Sequence, residues 1–141
     1  MKISFRPSVG YLSGCILLAL GVSLSVWLAP RLAAAAPDVA RGASLFKTKC
    51  SICHETAAGK HKAGPSLFGV FGHAAGTAEG FKLYRGLKDG GWIWDDASLD
   101  AYLTDPIAYT KEKTGKSPGM VLKVSSAQER EDIVAFLKTL K

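Results

Sequence analysis

The chain has 141 residues, 48% of them apolar, and carries 18 basic against 12 acidic side chains. This length fits one domain of ordinary size and excludes a multidomain assembly. Three of the basic residues and none of the acidic ones fall within residues 1–36, so the remainder has a net charge of +3. So small an excess argues against nucleic acid as a partner. The composition predicts a small globular domain that follows an apolar leader.

Residues 1–35 have the order of a secretory signal peptide. Lys2 and Arg6 precede a long uncharged apolar run, and small alanines end the segment. An A-x-A pattern within these alanines predicts cleavage after Ala35, which leaves a mature domain over residues 36–141 in the periplasm. The alternative is an uncleaved membrane anchor, because about 20 uncharged residues can span a bilayer.

The sequence of the mature domain predicts one helix at each end, and these two helices are expected to pack against each other. The first spans about residues 38–49, and Gly42 within it indicates a close helix crossing, since glycine costs about 1 kcal/mol of helix propensity. The last begins at Ser126, and Glu129 three residues later completes a capping box. The buried stripe of this last helix is formed by Ile133, Phe136, Leu137 and Leu140.

Between these ends the chain is rich in glycine. Residues 54–93 contain nine glycines, which predicts a long irregular stretch with no alternating strand pattern. So long a loop needs something other than helices to supply its core. Asp95 begins a further helix that ends at Pro106, and a short helical turn is expected over residues 107–111.

The strongest chemical signal is the C-x-x-C-H motif formed by Cys50, Cys53 and His54. Two thiols three residues apart share one helical face, where they can add to the two vinyl groups of a haem, and His54 can then bind the iron. A disulfide would close only a very small loop, a thioredoxin-type pair needs a βαβ setting, and a zinc site needs a second Cys/His pair. The motif therefore predicts one covalently attached haem c, which also supplies the missing core.

Met120 is the predicted second axial ligand. It is the only methionine besides Met1, and it follows a Ser-Pro-Gly turn that would project it from a loop, whereas His61 and His73 lie in the glycine-rich stretch. A thioether opposite an imidazole stabilises ferrous iron. Because both axial positions would be filled, the expected chemistry is one-electron transfer rather than catalysis.

With these residues, the mature chain resembles the class I c-type cytochromes, the small soluble cytochromes c of mitochondria and bacteria. The match covers residues 38–141 and includes the haem motif, the Gly-Pro loop over residues 59–72 and the closing helix over residues 133–138. The resemblance implies an all-α cytochrome c fold in which the N- and C-terminal helices cross and loops wrap around one covalently bound haem. It also implies a monomeric electron-transfer protein that is not an enzyme.

The resemblance assigns three further residues to the haem pocket. The carbonyl of Pro65 would accept a hydrogen bond from the ring of His54, which fixes the tautomer. Trp94 would donate its indole N–H to a haem propionate, and Tyr102 would approach the sulfur of Met120. The alternative for both aromatic residues is plain core packing.

Some positions depart from the mitochondrial form. The stretch before Met120 is longer, and His73 stands where the family has an arginine near the propionates. Leu83 or Tyr84 would fill the next position that faces a propionate.

The leading hypothesis for function is a periplasmic electron carrier. Its donor would be a redox partner such as a cytochrome bc complex, and its acceptor a terminal oxidase or a photosynthetic reaction centre; a dehydrogenase is a further candidate partner. The alternatives are a haem-bearing subunit docked on one enzyme and a ligand-binding or peroxidase-like haem protein in which Met120 is labile. Lysines near the haem motif and near Met120 predict a basic haem edge that steers partners. These are Lys47, Lys49, Lys60, Lys62, Lys111, Lys113, Lys116 and Lys123.

Overall fold

A computed structural model describes residues 35–88 and 90–141. The predicted signal peptide and its alternative as a membrane anchor fall on residues 1–35, which, apart from Ala35, lie outside the described residues. Within the described ranges no helix is long and apolar enough to cross a membrane.

Four α-helices carry the fold of the described residues. α1 spans Val39–Leu45 and continues into a π-helical turn over Phe46–Cys50, and α2 spans Asp96–Thr104. α3 spans Pro106–Thr114 and α4 spans Ala127–Leu137. The expected all-α fold is therefore confirmed, and the β contact in the described part is a single isolated bridge.

The first and last helices begin where the sequence predicts. The carboxylate of Asp38 accepts a hydrogen bond from the backbone N–H of Arg41 at 2.9 Å, and Ser126 Oγ accepts one from the N–H of Glu129 at 3.3 Å. The expected capping box is only half formed, because the carboxylate of Glu129 pairs with Lys49 Nζ at 3.2 Å instead of turning back to the cap. This pair links α4 to the π-helical turn that leads into the haem motif.

α2 and α3 meet at the Asp105-Pro106 step. A reciprocal capping box does form at the start of α2, where Asp95 and Ser98 exchange two hydrogen bonds of 2.8 Å. Asp105 caps α3 by accepting from the N–H of Ala108 at 3.1 Å, and proline takes the first helical position. α3 is longer than the short turn expected over residues 107–111, since it runs to Thr114 and is capped by Gly115, whose φ is 70°.

α1 and α4 cross as closely as glycine allows. A Cβ built on Gly42 would lie 2.0 Å from the backbone oxygen of Asp132, so an alanine there could not be accommodated without moving a helix. The rings of Phe46 and Phe136 pack beside the crossing with centroids 5.5 Å apart. Ile133 and Leu137 of the predicted stripe are buried, while Phe136 and Leu140 are half-buried and pack against that core.

Asp132 is a buried carboxylate that ties α4 to the start of α1. Its side chain is 2% exposed and accepts hydrogen bonds from the N–H of Asp38 at 2.7 Å and from Arg41 Nε at 2.8 Å. Gln128 donates to it from within α4. The Arg41 guanidinium and the other donors lower the pKa of Asp132 to about 2, although burial opposes the shift.

We expect Asp132→Asn to change how stability depends on pH. Because the pKa of Asp132 is depressed in the fold, its stabilising contribution is fully present above the ordinary pKa near 4 and disappears as the pH falls towards 2. Near neutral pH the variant should therefore lose about 1–3 kcal/mol. The difference from the parent should shrink between pH 4 and pH 2, which urea unfolding of the haem-loaded proteins will measure. Glu131→Gln, an exposed neighbour, is the control, and a difference that is constant with pH would contradict the assignment.

The glycine-rich stretch folds into loops that return to the start of α2. The segment that ends at Trp94 pairs with residues 72–75 through backbone hydrogen bonds. The N–H of Gly72 donates to the carbonyl of Trp94 at 2.7 Å, and the N–H of Trp94 donates to that of His73 at 2.9 Å. This pairing brings Trp94 from the end of the loops into the core beside α2.

Candidate cofactor site

The loops and helices enclose a cavity of about 1050 Å³. Its volume lies just above the range of about 300–1000 Å³ that small-molecule sites occupy, and most of its lining is apolar. The structure brings every candidate site residue from the sequence to its wall. These are Cys50, Cys53, His54, Pro65, Trp94, Tyr102 and Met120.

The two cysteines lie at the end of the π-helical turn. The N–H groups of Cys53 and His54 both donate to the carbonyl of Cys50, at 3.1 and 2.9 Å, which curls the motif into a tight turn on the cavity wall. Cys50 is buried and Cys53 is exposed, and both are free thiols rather than a disulfide. Burial raises the pKa of the Cys50 thiol above its ordinary value.

The imidazole of His54 is oriented for metal binding. Its Nδ1 lies 2.7 Å from the carbonyl oxygen of Pro65, and since a carbonyl can only accept, Nδ1 carries the proton. Nε2 is then the unprotonated nitrogen that can bind iron. Burial also lowers the pKa of His54, which favours the neutral, ligand-competent ring.

Gly64 makes room for that ring. A Cβ at this position would lie 2.3 Å from Cε1 of His54 and 2.8 Å from Nε2. The backbone N–H of Gly64 also donates to the carbonyl of Cys53 at 2.8 Å, which holds the glycine loop against the motif. Sequence reasoning counted Gly64 as a loop residue only, because which glycine faces the histidine depends on the folded loop.

Trp94 and Tyr102 form the inner wall of the cavity. Both are buried, and their rings meet edge to face with centroids 5.0 Å apart. Burial raises the pKa of Tyr102, so its hydroxyl remains neutral and available as a hydrogen-bond donor. Met120 lines the same cavity and is half-buried.

His61 has a structural role that the sequence did not suggest. Its Nδ1 accepts a hydrogen bond from the N–H of Ser66 at 3.0 Å, so Nε2 carries the proton and donates to the carbonyl of Glu79 at 2.9 Å. The ring also packs on Phe81 with centroids 5.5 Å apart. Both nitrogens are therefore engaged, and His61 joins two loops on the cavity wall.

Arg85 is a cavity residue that sequence reasoning missed. It lies in an irregular loop whose position no local pattern encodes, and it lines the cavity together with His73. Its Cδ would lie 3.7 Å from a Cβ built on Gly119, the residue directly before Met120. Leu83 and Tyr84, the two candidates for a propionate-facing position, both line the cavity. The hydroxyl of Tyr84 accepts a hydrogen bond from the N–H of Ala78 at 2.8 Å.

The described site fits the chemistry of a haem bound at a C-x-x-C-H motif. Two free thiols stand on one turn, and an imidazole presents an unprotonated nitrogen to a large apolar cavity that also contains a thioether. In the described part of the chain, no three His, Cys, Asp or Glu residues are placed to hold a metal ion by themselves, as a zinc site would require.

Comparison with known proteins agrees with the fold. The model of the cytochrome c family matches residues 39–141. Cytochrome c-550 of Novispirillum itersonii is 40% identical over 111 residues, which cover 74% of this chain and 99% of the relative. Cytochrome c2 of Rhodospirillum rubrum is 38% identical over 131 residues, which cover 88% of this chain and 96% of the relative.

A solved structure shows the same fold. Cytochrome c2 from Rhodospirillum centenum aligns with a TM-score of 0.67 at 36% identity, and the alignment covers 74% of this chain and 98% of that one. The chain belongs to the cytochrome c family. It therefore carries one covalently attached c-type haem and is an electron-transfer protein rather than an enzyme, as the sequence predicted.

Proposed function

We propose that this protein is a periplasmic one-electron carrier whose haem is attached through Cys50 and Cys53 and ligated by His54 and Met120. The observation that carries the proposal is the orientation of His54. Its Nδ1 is engaged by Pro65, which leaves Nε2 as the iron ligand in the cavity that also contains the methionine. The bound haem supplies a one-electron couple, which the thioether would poise at high potential.

The other wall residues would set the surroundings of the haem. Cys50 and Cys53 fix its position covalently, and Trp94 with Tyr102 excludes water from one side. Arg85 and His73 are hydrogen-bond donors on the wall, and they are suited to the carboxylates of the propionates. Every predicted site residue thus has a place in the proposed arrangement.

The absorption spectrum of the ferric protein tests this proposal against a ligand-binding or peroxidase-like haem protein. Ferric iron bound by a thioether gives a weak far-red band, which disappears when methionine leaves the iron. We expect the band in the purified protein, together with a one-electron redox titration at high potential. A ferric protein without the band that binds peroxide would favour the alternative.

The compartment and the tether are separate parts of the proposal. A signal peptide over residues 1–35 would deliver the chain to the periplasm and release the domain over residues 36–141. Fractionation of cells that express the full chain, followed by N-terminal sequencing, tests both. A membrane-bound product that starts at Met1 would favour the anchored form, and constant co-purification with one enzyme would favour a docked subunit.

We also propose that redox partners dock at a lysine-rich edge of the cavity. The ion pairs divide the lysines of this edge into two groups. Lys49, Lys62 and Lys123 are paired with Glu129, Glu55 and Asp105 respectively, so their charges are partly compensated. The lysines without an ion pair to described residues are Lys47, Lys60, Lys111, Lys113 and Lys116. Steering therefore falls mainly on the second group, and the donors or acceptors should present an acidic surface.

We expect removal of the Lys60 charge to slow association with such a partner. Lys60 is exposed, stands between two residues of the cavity wall, and makes no ion pair with the described residues. One charge acting across about 10 Å of water changes the encounter energy by about 0.4 kcal/mol, so Lys60→Gln should lower the rate about twofold at low salt. The difference should vanish as salt screens the approach. Stopped-flow oxidation by an acidic redox protein across a salt series measures this.

Ala40→Glu is the matched control, since it also lowers the net charge by one but lies exposed on α1, away from the cavity wall. Equal slowing by both variants would show that only net charge matters and would contradict an oriented edge. Reversal at Lys49 is a poor test, because it would place two carboxylates together at Glu129 and strain the contact with α4.

A further inference from the structure

We infer that Arg130 is a positioning residue that keeps Met120 at the iron by holding the far end of the segment that carries it. This segment, residues 115–125, is called here the Met120 strap. The inference rests on the proposed ligation by Met120, and it concerns what keeps that ligand in place. Arg130 lies in α4, ten residues beyond the methionine, and does not line the cavity.

The Met120 strap is hydrogen-bonded at its ends and not in its middle. At its start, the N–H of Gly115 donates to the carbonyl of Lys111 at 2.9 Å and closes α3. Residues 117–122 make no hydrogen bond with other described residues. Val121 and Leu122, the two residues after the methionine, line the cavity and make no hydrogen bond that would fix the strap to the rest of the protein. The position of Met120 therefore depends on how firmly the two ends are held.

Arg130 donates three hydrogen bonds that fix the C-terminal end of the Met120 strap. Its Nη1 donates to the carbonyl of Val124 at 3.0 Å and to that of Ser125 at 2.9 Å. Its Nε donates to the carboxylate of Asp100 in α2 at 2.7 Å. The N–H of Val124 donates in turn to the carbonyl of Leu103 at 2.8 Å. One guanidinium thus fastens the strap to α2 and α4 together.

Burial makes this contact stronger than the other charged contact of the strap. The Arg130 side chain is only 12% exposed, and Val124, whose carbonyl it bonds, is buried at 1%, although the partner carboxylate of Asp100 is 47% exposed. Lys123 also pairs with Asp105, but its side chain is 53% exposed, and such surface pairs contribute little. Charged hydrogen bonds shielded from solvent are worth more than exposed ones. Arg130 is therefore the side chain whose loss should free the strap most.

Between Ser117 and Gly119 the strap is held by packing alone. A Cβ on Gly86 would lie 2.6 Å from the carbonyl oxygen of Ser117, and the Arg85 side chain packs under Gly119. These contacts limit how the strap lies but supply no hydrogen bond that would replace those of Arg130. A strap freed at its far end can therefore swing away on this support.

The test is competition for the iron by imidazole in the ferric, haem-loaded protein. Imidazole can bind only when Met120 is off, so its apparent affinity reports the population of the released strap. We expect Arg130→Gln to raise this apparent affinity about tenfold and to weaken the far-red band. Arg130→Lys should give an intermediate value, since an ammonium keeps the charge but cannot reach both carbonyls and Asp100 in the geometry of a guanidinium.

Arg41→Gln is the matched control. Arg41 also bonds a carboxylate of α4, Asp132, but it acts at the crossing with α1 and touches no residue of the strap. We expect this variant to lower thermal stability while imidazole binding stays at the parent value. Equal imidazole affinity in the parent and Arg130→Gln, or an equal rise in both glutamine variants, would overturn the inference. A parent protein without the far-red band would instead overturn the ligation by Met120 itself, and the inference with it.

Discussion

The double variant Cys50→Ala/Cys53→Ala is expected to lose covalent haem and, with it, the folded domain. Cys50 and Cys53 are free and line the cavity, so they are the groups through which the family's haem would be attached. Without the attachment, the haem can dissociate and leave its cavity behind. The expected products are a chain with no covalent haem signal on a denaturing gel and a far-UV circular dichroism spectrum with most of its helix signal lost.

The size of the cavity explains the size of this effect. Without haem, the mostly apolar wall of this cavity of about 1050 Å³ would face water, which removes burial on which a total stability of only about 5–15 kcal/mol depends. Filling it with water would not rescue the fold, because its wall is mostly apolar. The irregular loops over residues 54–93 have few helical contacts of their own to hold them.

Cys15→Ala is the control for the double variant, since Cys15 lies outside the described domain and outside the C-x-x-C-H motif. It should retain covalent haem and a normal spectrum. Cys53→Ala alone should keep one attachment and an intermediate stability. A soluble double variant with native helix content would contradict the view that haem supplies the core of the loops.

Local patterns were enough to predict the helices and the chemical groups of the site. The caps at Asp38 and Ser126 depend on neighbours within three residues, and so does the spacing of Cys50, Cys53 and His54. These features can be read from a short window, because the interactions that create them lie within that window. The crossing at Gly42 could also be predicted, since a glycine inside a helix needs a reason that is usually a close neighbour.

The loops could not be predicted, because distant contacts fix them. The role of His61 between Ser66 and Glu79, and the place of Arg85 beside the strap, depend on how loops fold around a cavity. The predicted α3 was too short. Pro106 marks where this helix begins, but the glycine that ends it, Gly115 in the left-handed region, was not recognised as its C-cap. Which lysines form ion pairs could not be predicted either, because Lys49 and Lys123 pair with carboxylates that are distant in the sequence.

The variant Met120→Ala is expected to keep its haem but to lose its second axial ligand. Met120 is the only methionine among the described residues, and it lines the cavity that also contains His54. Its removal takes away the thioether that stabilises ferrous iron, so the midpoint potential should fall. The expected fall is on the order of 0.1 V, within the range of about 0.8 V that axial ligands span. The far-red band should vanish, and imidazole or cyanide should bind the ferric protein without competition.

Leu122→Ala separates the loss of the sulfur from the loss of packing on the strap. Leu122 lies two residues beyond Met120, lines the same cavity and is 37% exposed, so its truncation removes apolar contact with the cavity while the thioether and the anchors of the strap stay in place. We expect Leu122→Ala to keep the far-red band and a potential near that of the parent. Redox titration and ferric spectra of both variants measure this, and a parent-like potential in Met120→Ala would exclude the methionine as ligand. Since His61 has both ring nitrogens engaged in loop contacts, the ligand would then have to be sought at His73 or at a lysine.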